Sequence, residues 1–180
     1  MCLFCFVLSG DNLGVYVLDP LTARPFQQSM PSTAWLMPSP DFWKSSEVLV
    51  TGPKGNYTVK DYLQFFRDID FETGYEMYKD NVGFVFNQPP GVEVYCFHGT
   101  NMSTPAQFIY SQKQWHDSQP TVVNGPGDGT VNLRSLHGCL RWVGNNKGKP
   151  VHHKEFQKVE HLSMLQHAEV IAAVKQALGI

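Results

Sequence analysis

The chain has 180 residues, of which 42% are hydrophobic and 17% charged, and its formal net charge is −2. That composition describes a globular chain able to bury one good core, length alone suggests a single domain, and disorder is excluded. The near-neutral charge and scattered Lys and Arg give no nucleic-acid signal, and no apolar run approaches the roughly 18 residues of a membrane-spanning helix.

Taken in chain order, Met1–Leu8 is apolar. It is too short for a signal peptide and lacks a basic leader and a small-residue cleavage site, so no signal peptide is expected there. Residues 9–33 are rich in Gly, Asp, Asn, Pro, Ser and Thr and predict a long loop with at most one brief strand at Val15–Leu18. Ordered loops of that length are uncommon and often cover binding sites. Residues 34–55 predict irregular, aromatic-rich structure with one strand at Glu47–Val50. Thr58 and Asp61 have capping-box spacing, and Tyr62, Phe65, Phe66 and Ile69 follow at i, i+3, i+4 and i+7, which predicts a helix with an aromatic core face. A second helix is expected at Glu72–Tyr78.

Beyond Pro89-Pro90-Gly91, Val92–Phe97 predicts a strand and the following residues a loop. Gly144–Pro150 predicts a surface turn and Val151–Val159 a last strand. The chain closes on a helix in which Val170, Ile171, Val174, Ala177 and Leu178 share a face, with Gly179 as its stop signal.

Two segments carry candidate chemistry. Gly127-Asp128-Gly129 places a carboxylate in a glycine-rich turn, where it can approach another backbone and hold an imidazole; the same tripeptide also makes an ordinary surface turn. Val159-Glu160-His161-Leu162 places a histidine between a strand and a helix, where either a surface histidine or a catalytic base can sit. Acid before histidine, each on a loop after a strand, is the chain order of serine hydrolases on an α/β sheet. The Gly-x-Ser-x-Gly turn of such enzymes occurs nowhere in these 180 residues.

Other residues bear on binding and covalent roles. His152 and His153 are adjacent and point to opposite faces of a strand, and His161 and His167 do not share a helical face, so no metal is expected. Cys96 and Cys139 could bridge, contributing roughly 4 kcal/mol in the chain-entropy account, or could remain two buried thiols. Asn56-Tyr57-Thr58 and Asn101-Met102-Ser103 fit the N-glycosylation sequon and equally fit turns.

Several of these segments resemble the family of lecithin:cholesterol acyltransferase and the lysosomal (group XV) phospholipase A2. Ser9-Gly10-Asp11-Asn12 is similar to the start of that family's lid loop, and Ser32-Thr33-Ala34-Trp35-Leu36-Met37-Pro38 to the segment after it. Asn56-Tyr57-Thr58 with Asp61-Tyr62, Phe65-Phe66 and Asp68-Ile69 resembles its glycosylated aromatic helix. Gly91–Cys96, Thr104-Pro105, Gly127–Leu133 and Glu160–Leu165 complete the likeness.

The resemblance implies the C-terminal part of an α/β-hydrolase: the last two core strands and the final helix, with a lid loop and part of the cap. By position it divides the chain into a divergent stub at 1–8, a lid-like loop at 9–33, a cap portion at 34–90 and hydrolase core at 91–180. It further implies Asp128 as triad acid, His161 as triad base, a Cys96–Cys139 disulfide, and glycans at Asn56 and, with less support, Asn101.

The implied activity is acyl transfer or hydrolysis on phospholipid, without a cofactor. Water, a sterol or another lipid alcohol would accept the acyl group, at a membrane or lipoprotein surface, in a lysosomal or extracellular setting. The serine would lie upstream of this chain, so the chain alone is expected to be inactive and to need its missing half. The alternative expectation is a non-catalytic product that binds lipid surfaces or a partner.

Overall fold

A computed structural model describes residues 20–82, 88–111 and 118–180. It divides the chain into two compact units rather than the single domain that length suggests: residues 1–85 with 106–123, and residues 86–105 with 124–180. The expected brief strand at Val15–Leu18, the lid-start likeness at Ser9–Asn12 and the stub at 1–8 lie outside the described residues.

The first unit opens with helix α1, Pro20–Gln28, and helix α2, Pro31–Trp35. Part of the stretch expected as a loop is therefore helical. Pro20 and Pro31 head their helices, where a missing N–H costs nothing and a φ fixed by the ring already suits the helix. Of the prolines that suggest a loop, Pro20 and Pro31 start helices, and Pro25 lies within α1. Thr33 Oγ1 donates to the Gln27 carbonyl at 2.7 Å across the α1–α2 junction.

Strands β1, Val50–Gly52, and β2, Gly55–Tyr57, form an antiparallel hairpin with Val50 opposite Tyr57. The strand expected at Glu47–Val50 thus starts only at its last residue. Helix α3, Tyr62–Asp68, follows, and Asp61 reaches back to accept from the Thr58 N–H at 2.9 Å and the Thr58 hydroxyl at 2.7 Å. The expected capping partners do meet, one turn ahead of the helix rather than within it.

Tyr62, Phe65, Phe66 and Ile69 are all buried, as their spacing predicts. They pack with Met37, Trp43, Leu49, Val50, Tyr57, Val59, Phe108 and Tyr110 into one core cluster. The Tyr62 hydroxyl donates to the Pro38 carbonyl at 2.7 Å, and burial pushes its ionisation far up. Helix α4 runs over Glu72–Asn81, three residues past the expected end.

The stretch after the first long strand, expected as a loop, holds two strands: β4, Met102–Ile109, and β5, Thr121–Gly127, which follow β3, Val94–Thr100. Pro105, polar residues and the Gly-Pro-Gly sequence hide both from pattern reading. Asn101, at φ +61°, makes the tight link between β3 and β4. The order of the larger sheet is β2-β1-β4-β5, with β1 and β4 parallel and Val50 beside Phe108. The residues of β4 and β5 are divided between the two units.

In the second unit β3 pairs in parallel with β6, Val151–Gln157, over seven registered positions from Val94 with Val151 to Thr100 with Gln157. Alternation along these strands gives the two-stranded sheet two distinct faces. Phe97 and Phe156 lie on one, in an apolar cluster with Val159, Met164 and the helix α6, Ala168–Leu178. The helix and its Gly179 stop (φ +72°) are as expected, but the buried face is not. Val170 and Ala173 are buried, whereas Ile171, Val174 and Leu178 are exposed.

The turn at 144–150 is present, yet Asn146 is buried. Its amide oxygen accepts from the Gly91 N–H at 2.8 Å, and its amide nitrogen donates to the Val92 carbonyl at 2.6 Å. Helix α5, Leu133–Leu136, and a 3₁₀ segment, His137–Trp142, precede it. Among the described residues no helix is long and apolar enough to cross a membrane.

Candidate catalytic site

Asp128 follows directly on β5, and His161 follows β6 and opens a short 3₁₀ turn at Leu162–Leu165. The fold brings these residues, 33 positions apart, into one contact in the second unit: Asp128 Oδ2 and His161 Nδ1 are 2.8 Å apart. A carboxylate can only accept, so Nδ1 carries the proton and Nε2 of the neutral ring is left as the basic nitrogen. The Asp128 side chain is 2% exposed and that of His161 41%. A sheltered acid therefore orients an imidazole that still meets solvent.

A buried carboxylate needs further partners, and the turn supplies them. Asp128 Oδ1 accepts from the backbone N–H of Thr130 at 3.0 Å and of Val131 at 2.7 Å. The Asp128 N–H donates to the Val131 carbonyl at 3.2 Å, which closes the turn. His161 is tied down by its backbone as well, its N–H donating to the Asp128 carbonyl at 3.0 Å. The two loops are thus joined once through the side chains and once through the main chain.

Three residues whose part in this site the sequence reading did not isolate complete the support. Thr104, fully buried in β4, accepts from the Gly129 N–H at 2.9 Å and donates to the Met102 carbonyl at 3.1 Å. Glu160 accepts through Oε2 from the N–H groups of Leu162 at 3.0 Å and Ser163 at 3.1 Å, so it caps the turn that His161 begins. Gly99 lies where a Cβ would fall 1.9 Å from the Val159 carbonyl oxygen and 3.4 Å from the Asp128 Cβ. Only a glycine lets β3 pass this close to both loops. The weak sequence signals were the capping spacing of Glu160 and Ser163 and a glycine inside a strand.

The remaining candidates fall as follows. Cys96 in β3 and Cys139 in the 3₁₀ segment are joined, with S–S 2.04 Å. Asn56 in β2 and Asn101 before β4 are both exposed. His152 and His153 do point to opposite sides of β6: His152 stacks on Tyr95 and bonds Glu93, while His153 meets His98. Spacing alone predicts no metal site. The fold gathers His98, His137, His153 and Glu155, residues from three segments that no spacing rule connects.

Residues 3–168 match the sequence family described as lecithin:cholesterol acyltransferase. The chain is 42% identical over 171 residues to the lysosomal phospholipase A and acyltransferase of Mus musculus, covering 94% of this chain and 41% of that protein. It is 40% identical over 171 residues to the protein of that name from Homo sapiens, with the same coverages of 94% and 41%. Against the phosphatidylcholine-sterol acyltransferase of Gallus gallus it is 34% identical over 158 residues, 87% of this chain and 38% of the relative. The chain therefore spans about two-fifths of the length of these relatives. The mixed α/β architecture suits the α/β-hydrolase-like fold the resemblance implied, and the extent of the match is decisive: this chain belongs to the lecithin:cholesterol acyltransferase family.

Proposed function

We propose that Asp128 and His161 are the acid and base of a Ser-Asp-His triad that cleaves a phospholipid ester and transfers its acyl group. The observation that carries this is the 2.8 Å contact from a buried carboxylate to the Nδ1 of a partly exposed imidazole. That arrangement fixes one tautomer and orients Nε2 as the proton acceptor. The chain's relatives are named as a phospholipase A and acyltransferase and as a phosphatidylcholine-sterol acyltransferase, which supports phospholipid as the acyl donor.

The serine of this reading lies N-terminal to the segment seen here. Its hydroxyl attacks the ester carbonyl carbon while His161 Nε2 takes the proton. The tetrahedral intermediate collapses, the C–O bond to the lysophospholipid breaks, and His161 returns the proton to the departing oxygen. Water, a sterol or another lipid alcohol then attacks the acyl-enzyme, with His161 again the base. No step needs a cofactor.

This chemistry belongs at a membrane or lipoprotein surface, in a lysosome or outside the cell. Phe26 in α1 and Trp35 in α2, 66% and 59% exposed, are apolar surface suited to a lipid interface. The exposed Asn56 and, more weakly, Asn101 suit glycans in such a compartment.

The test is phospholipid hydrolysis by the protein that carries the serine. Asp128→Asn preserves shape but misorients the imidazole, and a loss of about 10⁴-fold in kcat is expected, with a comparable loss for His161→Ala. Asp128→Asn should keep the wild-type unfolding curve to within about 1 kcal/mol, whereas His161→Ala, which leaves the buried Asp128 Oδ2 without its partner, should cost about 1–3 kcal/mol and still fold. Near-normal turnover in either variant overturns the assignment.

A further inference from the structure

We propose that His98, His137, His153 and Glu155 form a binding site for a divalent transition-metal ion of the zinc type, separate from the Asp128–His161 pair. One donor atom from each of the four residues lies within 4.8 Å of the other three. Tetrahedral zinc with metal–nitrogen bonds of about 2.0–2.1 Å sets its ligand atoms roughly 3.3–3.4 Å apart. The cluster brackets that edge, with contacts of 2.8 Å between His98 Nε2 and His153 Nε2 and 2.7 Å between His137 Nε2 and Glu155 Oε1.

The fold itself assembles these donors. In the parallel register Cys96 sits beside His153 and His98 beside Glu155. Period-two alternation then turns all four to the same face of the two-stranded sheet, opposite Phe97 and Phe156. The Cys96–Cys139 disulfide pins the 3₁₀ segment to that face, and His137 lies two residues before Cys139. A covalent bond and a strand register thereby bring three imidazoles together, with ring centroids 5.0 to 5.4 Å apart.

The protonation pattern suits an ion. His98 is 5% exposed, and its Nδ1 donates to the Gly99 carbonyl at 2.8 Å. A carbonyl only accepts, so Nδ1 holds the proton and Nε2 offers a lone pair to its neighbours. A backbone carbonyl holding the far nitrogen is the usual outer support of a metal-bound histidine. Glu155 supplies an oxygen ligand, already 2.7 Å from His137 Nε2. Three nitrogens and one carboxylate oxygen form a closed set, so a structural role is expected, with the ion holding the 3₁₀ segment to β3 and β6.

The experiment titrates metal-stripped protein at neutral pH with Zn²⁺ and, in parallel, with Co²⁺. Wild type is compared with His137→Ala, His153→Ala, Glu155→Gln and His161→Ala. One Zn²⁺ per chain is expected, with the visible absorption of tetrahedral Co²⁺. Affinity should fall by at least about 100-fold in each histidine variant of the cluster and by at least about tenfold in Glu155→Gln. In His161→Ala affinity should be unchanged. Near-UV circular dichroism of the metal-free proteins checks folding, and should a histidine variant misfold, the shape-conserving Glu155→Gln decides. No Zn²⁺ bound by wild type, unchanged affinity in Glu155→Gln, or a loss confined to His161→Ala overturns the proposal.

Discussion

The interior of the first unit and that of the second are held together in different ways. The first is an aromatic core: Tyr57, Tyr62, Phe65 and Phe66 lie buried among Trp43, Phe108 and Tyr110, with edge-to-face ring pairs such as Tyr57 with Phe65 at 5.5 Å. The second packs a smaller apolar cluster around Phe156, Val159, Val170 and Ala173. Much of its remaining interior is polar, with Asp128, Thr104, His98, Thr100 and Asn146 all buried. Apolar burial is non-directional and tolerates shifts, whereas each buried polar group must be met by a partner at fixed geometry. The unit carrying the candidate chemistry is therefore positioned by hydrogen bonds, close glycine contacts and a disulfide, at the expense of apolar bulk.

Deleting bulk from the first unit should have the largest effect on stability. Phe65 is 0% exposed, and Phe65→Ala should cost about 3–5 kcal/mol of unfolding free energy, read from urea midpoints at constant slope. A loss below about 1 kcal/mol would mean that this core is not the main source of the unit's stability. The second unit should respond in function before stability. Gly99→Ala places a methyl group 1.9 Å from the Val159 carbonyl oxygen, so the backbone leading to His161 must move by about 1 Å or more. Turnover of the serine-bearing protein should drop by about 100-fold, while unfolding free energy falls by only about 1–3 kcal/mol. Unchanged turnover would show that the contact does not position His161.

The two units also differed in how far their sequences could be read. The helix at Tyr62–Asp68 and its buried stripe follow from four aromatic or aliphatic residues at helical spacing, because that face is decided locally. The final helix is equally visible, but its apolar pattern points to a different buried face from the one the structure shows. Ile171, Val174 and Leu178 are as apolar as Val170, and only the single covering sheet determines which side is buried. Strands β4 and β5 are hidden in the sequence because Pro105 and the Gly-Pro-Gly stretch carry turn chemistry while the pairing that orders them is long-range. Asp128 and His161 were legible as a pair through chain order and flanking glycines. The histidine cluster was not, since parallel register and a disulfide bring it together, and neither leaves a spacing in the sequence.

A finer test of the comparison lies in Asp68, among the described residues the one charged group buried inside the aromatic unit. Asp68, with a side chain 10% exposed, accepts from the Tyr57 hydroxyl at 2.7 Å, from Lys54 Nζ at 3.1 Å and from Gln64 Nε2 at 3.0 Å. Burial alone would raise its pKa, but the hydrogen bonds from Tyr57, Lys54 and Gln64 with the Lys54 charge outweigh it and hold the carboxyl below its ordinary value. As pH falls, the unfolded chain takes up this proton first, so folding is penalised. The stabilisation is complete above the ordinary aspartate pKa of about 3.9 and is lost as pH falls through the lower folded value. At the mildly acidic pH of about 5–6 at which histidines switch, this network is therefore intact. Asp68→Asn should shift the wild-type urea midpoint by a constant amount from neutral pH to about 5, and the gap should narrow only below about 4. A gap that narrows already between about 7 and 5 would place the acid-sensitive group of this unit elsewhere.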